Sequence, residues 1–313
     1  CGFWSAHSFI VVFTRKLISG LYWRDSKVLS LQPIDVVLTH IPVNRIGPYL
    51  NNHVSKSKYN HIVVTGCSLS TGMEMNEHLL PEIKDQQHKK MLIWKWAKEN
   101  SLVKGDDFNS NMHQARMFWE QEERTKSWPI LLEKQTGISV SNLSQIGASV
   151  DYSLVAFKKW IKNNKGSEKN TCVIHQIPSL GRIYMKFNEE FGRINVHPMD
   201  IEHNRTFGFN RKYYKKEIEN IHKTYKSLLT RNEYFKKRCE TILKRLHKIA
   251  LDNNIDDYYI FQSEDQMPEY LRDKTLLSNF QQFRSKYKVG FEGHPIGEKY
   301  NLDICKICEP IFS

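Results

Sequence analysis

The sequence contains no long hydrophobic run and few cysteines. Its longest apolar stretch, Phe9–Phe13, is far shorter than the ~20 residues a bilayer-spanning helix needs, so a soluble protein is predicted. Six cysteines scattered through 313 residues exclude a small disulfide-stabilised scaffold and indicate a mostly reduced protein. The one close pair, Cys305 and Cys308, lacks a second pair or paired histidines, so no metal site is predicted.

The sequence also has fewer acidic than basic residues. Lys and Arg total 46 against 34 Asp and Glu, which gives a net charge of +12. Across Lys212–Lys248, Lys and Arg outnumber Glu three to one. This basic stretch is interpreted either as a solvated helix face or as an anion-binding surface. Such a charge favours anionic partners, including acidic glycans, nucleic acids and anionic membranes. Because no DNA- or RNA-binding motif is recognised, nucleic acid is the least favoured partner.

The hydrophobic pattern predicts strands that alternate with helices. Buried strands are expected at Ile62–Thr65, Ile138–Leu143, Cys172–Pro178 and Tyr258–Gln262. Helices are expected at Glu77–Asn100, Asn111–Glu123, Trp128–Lys134, Asp151–Asn163, Lys212–Leu251 and Leu302–Phe312. This alternation predicts a parallel sheet covered by helices on both faces, an α/β/α sandwich. Residues 1–58 show no clear period and are interpreted as an N-terminal extension, with one domain over 59–313.

A serine follows the first regular strand in a turn of small residues. The sequence Thr65–Gly72 places Ser68 where a buried strand ends and a helix can begin, which is the usual ligand-binding position of an open α/β sheet. Ser68 is therefore a candidate nucleophile. The alternative is an ordinary strand-to-helix turn in which a serine caps the helix.

Three blocks along the chain carry a further signal: Gly66–Ser70, the segment from Trp128 to Ser149, and His294–Pro295 with the short helix after it. In this order and spacing they resemble the SGNH/GDSL hydrolase family, especially its phage and environmental members. The resemblance implies a three-layer fold with a flavodoxin-like parallel sheet of about five strands. It also implies that Ser68 is the nucleophile, that His294 is the general base, and that the backbone N–H groups of Ser68 and Gly147 bind the oxyanion.

Two positions depart from the pattern of that family. The block that normally supplies an oxyanion-binding asparagine falls at His175–Ser179, where Gln176 or Ser179 would have to substitute. The aspartate expected three residues before His294 is Phe291, and Glu292 is the nearest carboxylate. Either Glu292 or a backbone carbonyl would then orient His294.

A second histidine competes for the role of base. His203 has a carboxylate, Asp200, at the spacing that the family uses. However, a long helix and another strand follow His203, whereas the histidine of the family directly precedes the last helix. His294 is therefore the preferred base, with Asp200 and His203 as the alternative pair.

The resemblance implies a serine esterase that passes an acyl group to Ser68 and then to water, without a cofactor. Together with the positive charge, it implies an acylated substrate such as an O-acetylated acidic surface glycan. The alternative is a catalytically inactive SGNH-like structural or binding protein, for example a virion component. The missing asparagine and the displaced acid favour that alternative.

Overall fold

The computed structural model describes residues 57–312, apart from positions 106, 167–168, 205, 207–209, 230–232 and 292. Residues 1–56 of the predicted N-terminal extension lie outside the described residues. The domain boundary near residue 58 therefore stays a prediction.

Seven strands and ten α-helices make up the described chain. The strands are β1 His61–Thr65, β2 Ser139–Asn142, β3 Thr171–Ile177, β4 Ile183–Asn188, β5 Gly192–Val196, β6 Asp256–Phe261 and β7 Thr275–Leu277. The helices are α1 Ser68–Thr71, α2 Gln86–Glu99, α3 Phe108–Thr125, α4 Trp128–Thr136, α5 Val150–Asn163, α6 Pro198–Glu202, α7 Arg211–Leu229, α8 Tyr234–Asp252, α9 Phe280–Arg284 and α10 Glu298–Cys308.

Five of these strands form a parallel sheet in the order β2-β1-β3-β6-β7. This is the flavodoxin-like order, in which the chain reverses direction across the sheet beside β1. Helices cover both faces, so the predicted three-layer α/β/α fold is confirmed. The point of reversal is where such folds bind ligands, and the turn after β1 lies there.

Burial on both faces explains why the central strands have almost continuous apolar sequences. Successive side chains of β1 and β3 point to opposite faces, and each face packs on its own pair of helices. One face packs against α4 and α10, and the other packs against α5 and α8. The first face carries Ile62, Val64, Cys172 and Ile174, and the second carries Val63, Val173 and Ile177.

Some helix ends follow directly from local sequence. Pro129 lies in the first turn of α4, where its missing N–H costs nothing, and Gly137 ends the helix at a φ of 68°.

The close pair of cysteines, Cys305 and Cys308, lies on α10, and both side chains are fully buried in the core.

The single helix predicted over Lys212–Leu251 is wrong, because two helices occupy this region. Glu233, just before α8, has a left-handed φ of 66° that no continuous helix contains. The two halves also bury their apolar stripes in different places: Ile221 of α7 packs on the β4–β5 hairpin, whereas Leu246 of α8 packs on the main sheet.

The sequence pattern misses three strands. β4 and β5 form an antiparallel hairpin in a stretch that was expected to be irregular, and the hairpin packs on α6 and α7. β7 has only three residues, too few to show a period. The long helix predicted from Glu77 begins only at Gln86, after a 3₁₀ turn at Glu77–Leu79.

Within the described ranges, no helix combines the length and apolar character required to cross a membrane.

Candidate active site

Ser68 lies at the first position of α1, and only Gly66 and Cys67 separate it from the carboxyl end of β1. A Cβ on Gly66 would lie 2.6 Å from Ser70 Oγ and 3.0 Å from Gln176 Oε1, so this turn accepts only glycine without rearrangement. The close approach fixes the path of the chain into Ser68, which is only 3% exposed.

His294 meets Ser68 from the loop that precedes α10. Ser68 Oγ lies 2.7 Å from His294 Nε2, although the two residues are 226 positions apart in the chain. The loop folds back on itself: Gly290 N donates to His294 O at 2.7 Å, and Ile296 N donates to Lys288 O at 3.0 Å. This closed loop holds the imidazole against the first turn of α1.

Glu74 is the carboxylate beside His294. Its Oε2 lies 3.3 Å from His294 Nδ1 and accepts the His294 backbone N–H at 2.8 Å. Glu74 is 1% exposed and has a left-handed φ of 67°. In the tautomer that directs Nδ1–H at the Glu74 carboxylate, Nε2 is left to accept from the Ser68 hydroxyl. Ser68, His294 and Glu74 therefore form a continuous chain of hydroxyl, imidazole and carboxylate, an arrangement that can activate a serine hydroxyl.

Sequence reasoning missed Glu74. Glu292, the acid it favoured, lies outside the described residues. A signal was nonetheless present, because Glu74 and Glu77 are two carboxylates within ten residues of the candidate nucleophile.

A second carboxylate, Glu77, holds the same loop. Glu77 Oε2 accepts the backbone N–H of Phe291 at 2.6 Å, next to the bond between Glu74 and His294 N. A Cβ on Gly290 would collide with Glu77 Oε2 and lie 2.9 Å from Glu74 Oε2. The two carboxylates thus clamp the loop, and glycine at position 290 permits their close approach.

Lys89 of α2 balances the charge of this clamp. Its Nζ lies 3.3 Å from Glu74 Oε1 and is ion-paired with Glu77 Oε1. Burial raises the pKa of Glu77, and the hydrogen bond from Lys89 opposes that shift. A third carboxyl, Glu123, accepts Asn76 N at 3.4 Å, and burial raises its pKa to about 8. The ion pairs of Lys89 are with Glu74 and Glu77.

The Gly147 loop lies beside the Ser68 turn. Gln145 N donates to Gly66 O at 3.2 Å, and Leu143 N donates to Val64 O at 2.8 Å. Gly147 itself has a φ of 75°, the left-handed region that favours glycine. Within the described chain, neither the Ser68 N–H nor the Gly147 N–H has an acceptor.

Gln176 lies next to the Ser68 turn near the end of β3. Its Oε1 accepts the Ser70 hydroxyl, while its Nε2 is buried and has no partner among the described residues. Gln176 therefore supports α1 through Ser70. Ser179, the other candidate in this block, has a buried hydroxyl that is likewise unpaired in the described part of the chain.

The alternative pair lies elsewhere in the fold. Asp200 is in α6, and His203 follows that helix with an exposed side chain. His294, and not His203, is the histidine that contacts Ser68.

Comparisons of this chain with protein-family models, with curated proteins and with solved structures find no match. The resemblance to the SGNH/GDSL family therefore rests on the sequence blocks alone.

Proposed function

We propose that this protein is a serine ester hydrolase in which Ser68 is the nucleophile, His294 the general base and Glu74 the acid that orients it. One observation carries the proposal: Ser68 Oγ lies 2.7 Å from His294 Nε2, and Glu74 holds the opposite nitrogen of the same ring. A serine hydroxyl is a weak nucleophile until a neighbouring base takes its proton, and this geometry provides that base.

In the first half-reaction, Ser68 Oγ attacks the ester carbonyl carbon while its proton passes to His294 Nε2. Glu74 stabilises the imidazolium that forms. The tetrahedral intermediate then collapses, the bond to the alcohol oxygen breaks, and His294 returns the proton to the leaving alcohol. The acyl group remains on Ser68.

In the second half-reaction, water replaces the alcohol. His294 takes one proton from the water as its oxygen attacks the acyl carbon, and it gives that proton to Ser68 Oγ when the acid leaves. The unpaired N–H groups of Ser68 and Gly147 are the proposed donors to the oxyanion in both halves. Loss of one such donor typically costs about 10²–10³ in rate.

The proposed substrate is an ester on an acidic glycan, such as an O-acetyl group. The net charge of +12 supports this choice, because a positive field attracts anionic substrates. Part of that charge lies on α7 and α8, which together carry much of the basic stretch Lys212–Lys248.

The direct experiment is the hydrolysis of 4-nitrophenyl acetate by the wild type, Ser68→Ala and Ser227→Ala. Ser227 is an exposed serine on α7 and serves as the matched control. We expect Ser68→Ala to lower kcat/KM by roughly 10³-fold or more and Ser227→Ala to leave it unchanged. Equal rates for the wild type and Ser68→Ala would contradict the mechanism and favour the inactive structural or binding protein.

A further inference from the structure

Arg182 lies at the same edge of the sheet as the candidate active site. It follows β3 by five residues, and its Nη1 lies 3.5 Å from the backbone oxygen of Ala148. Ala148 adjoins Gly147, one of the proposed oxyanion donors. The guanidinium is therefore beside the Gly147 loop, on the side of the site formed by the segment after β3.

Two side-chain donors of this segment lack acceptors. Arg182 Nε and Ser179 Oγ are both buried with no hydrogen-bond partner in the part of the chain that the structure describes. Arg182 also has no carboxylate within ion-pair distance among those residues. Unpaired buried donors are costly, and a guanidinium without a counter-charge is more costly than a neutral donor. A bound anion would satisfy both groups.

The backbone of this segment is held in place before any ligand arrives. Arg182 N donates to Ser179 O at 3.2 Å, which closes a turn, and the buried Tyr225 hydroxyl donates to Gly181 O at 2.5 Å. A Cβ on Gly181 would lie 2.6 Å from Pro198 Cγ, so the turn packs tightly on α6. A fixed turn lowers the entropy cost of binding.

We propose that Arg182 and Ser179 form a subsite for a carboxylate on the ester substrate, so that esters of sugar acids are the preferred class. The planar guanidinium matches a carboxylate with two parallel hydrogen bonds, and the Ser179 hydroxyl adds a third donor. This inference rests on the proposed ester hydrolysis and adds the group that the enzyme recognises.

Arg193 provides a matched control within the hairpin that follows. It carries the same charge, but its side chain is exposed and its Nη1 donates to Tyr184 O at 3.3 Å. Loss of Arg193 changes the net charge as much as loss of Arg182 without touching the subsite.

The test compares two acetyl esters that differ only at C6, O-acetylated glucuronic acid and O-acetylated glucose, by the release of acetate. We expect the wild type to favour the glucuronate ester by about 10- to 100-fold in kcat/KM, the range of a charge-assisted hydrogen bond. Arg182→Gln should bring that ratio close to one, Arg182→Lys should restore part of it, and Arg193→Gln should retain it. A wild-type ratio near one, or the same ratio in Arg182→Gln, would overturn the subsite.

A second measurement separates this inference from the proposed function. If the wild type hydrolyses neither sugar ester nor 4-nitrophenyl acetate, ester hydrolysis fails, and the subsite is then judged by binding alone. Glucuronate, but not glucose, should raise the thermal unfolding midpoint of the wild type and Arg193→Gln, but not that of Arg182→Gln. The absence of a glucuronate effect on the wild type would reject the subsite by itself.

Discussion

Two buried clusters in this protein each combine a carboxylate with a histidine and a lysine. In one, Asp257 of β6 accepts hydrogen bonds from His247 Nδ1 at 2.7 Å and Lys274 Nζ at 2.8 Å. In the other, Glu74 accepts from His294 and pairs with Lys89. Both carboxylate side chains are completely buried. Residue types alone therefore do not distinguish the two clusters.

The clusters differ in what lies beyond the histidine. His294 Nε2 reaches the hydroxyl of Ser68, whereas the His247 ring lies 6.2 Å from the Tyr270 ring and contacts no serine in the described chain. The charge balance differs as well. Asp257 receives hydrogen bonds from Lys274, Tyr259 and His247, which hold its pKa below the usual value although burial alone would raise it. Glu74 must share Lys89 with Glu77. We infer that the Asp257 cluster stabilises the fold and that the Glu74 cluster serves chemistry.

The strongest test of this comparison is Glu74→Gln. Glutamine keeps the shape of the side chain but cannot stabilise the imidazolium of His294, so we expect kcat/KM for 4-nitrophenyl acetate to fall by about 10²–10⁴-fold at pH 7. Steady-state kinetics measure this effect, and circular dichroism checks that the variant is folded.

Asp257→Asn is the matched variant in the second cluster. It should leave kcat/KM almost unchanged while lowering the free energy of unfolding by about 3 kcal/mol, because His247 and Lys274 lose their buried partner. Since the pKa of Asp257 is lowered on folding, its contribution to stability is present above about pH 4 and is lost as pH falls through the folded pKa. Equal losses of activity in Asp257→Asn and Glu74→Gln would remove the distinction between the clusters.

Lys89→Met should change the pH dependence of the reaction. The pKa of Glu77 is already raised by burial, and without Lys89 the Glu74–Glu77 pair should retain a proton at higher pH. We expect kcat/KM to fall about 10-fold at pH 7, with the loss shrinking as pH rises.

Lys89→Arg supplies the same charge and should restore most of the activity. If Lys89→Met instead loses the same factor at every pH between 6 and 9, Lys89 has a purely structural role.

The last prediction concerns stability alone and involves His175, a core histidine that carries no proposed chemistry. Burial lowers its pKa to about 4, whereas the unfolded chain binds a proton below about pH 6.5. Stability should therefore decline as pH falls from 6.5 to 4, by about 3 kcal/mol in total. Denaturant unfolding at several pH values measures this decline, and His175→Phe should reduce it by that amount. Identical pH dependence in the two proteins would show that the histidine is not buried in its neutral form.

Local sequence predicts those parts of the molecule that short-range physics determines. The strand–turn–helix placement of Ser68 and the Pro129 start and Gly137 end of α4 follow from residues within one or two turns of each other. The parallel sheet follows from the alternation of strands and helices along the chain. The resemblance to the SGNH/GDSL family favours His294 because this residue directly precedes the last helix, and the structure brings it to Ser68.

The remaining parts depend on contacts between distant segments. Glu74 meets His294 because the loop before α10 donates the backbone N–H groups of Phe291 and His294 to Glu77 and Glu74. The β4–β5 hairpin forms against α7, which lies further along the chain. A hydrophobic pattern predicts neither the Glu74–His294 contact nor the β4–β5 hairpin, because it gives the period of one segment and not the segment that packs on it.

The most direct measurement of the central claim is the mass of the intact protein after reaction with a fluorophosphonate, which an activated serine attacks with loss of fluoride. We predict a single adduct located on Ser68, absent in Ser68→Ala and formed much more slowly in His294→Ala. Absence of an adduct on the folded wild-type protein, or an adduct on any other residue, would contradict the account.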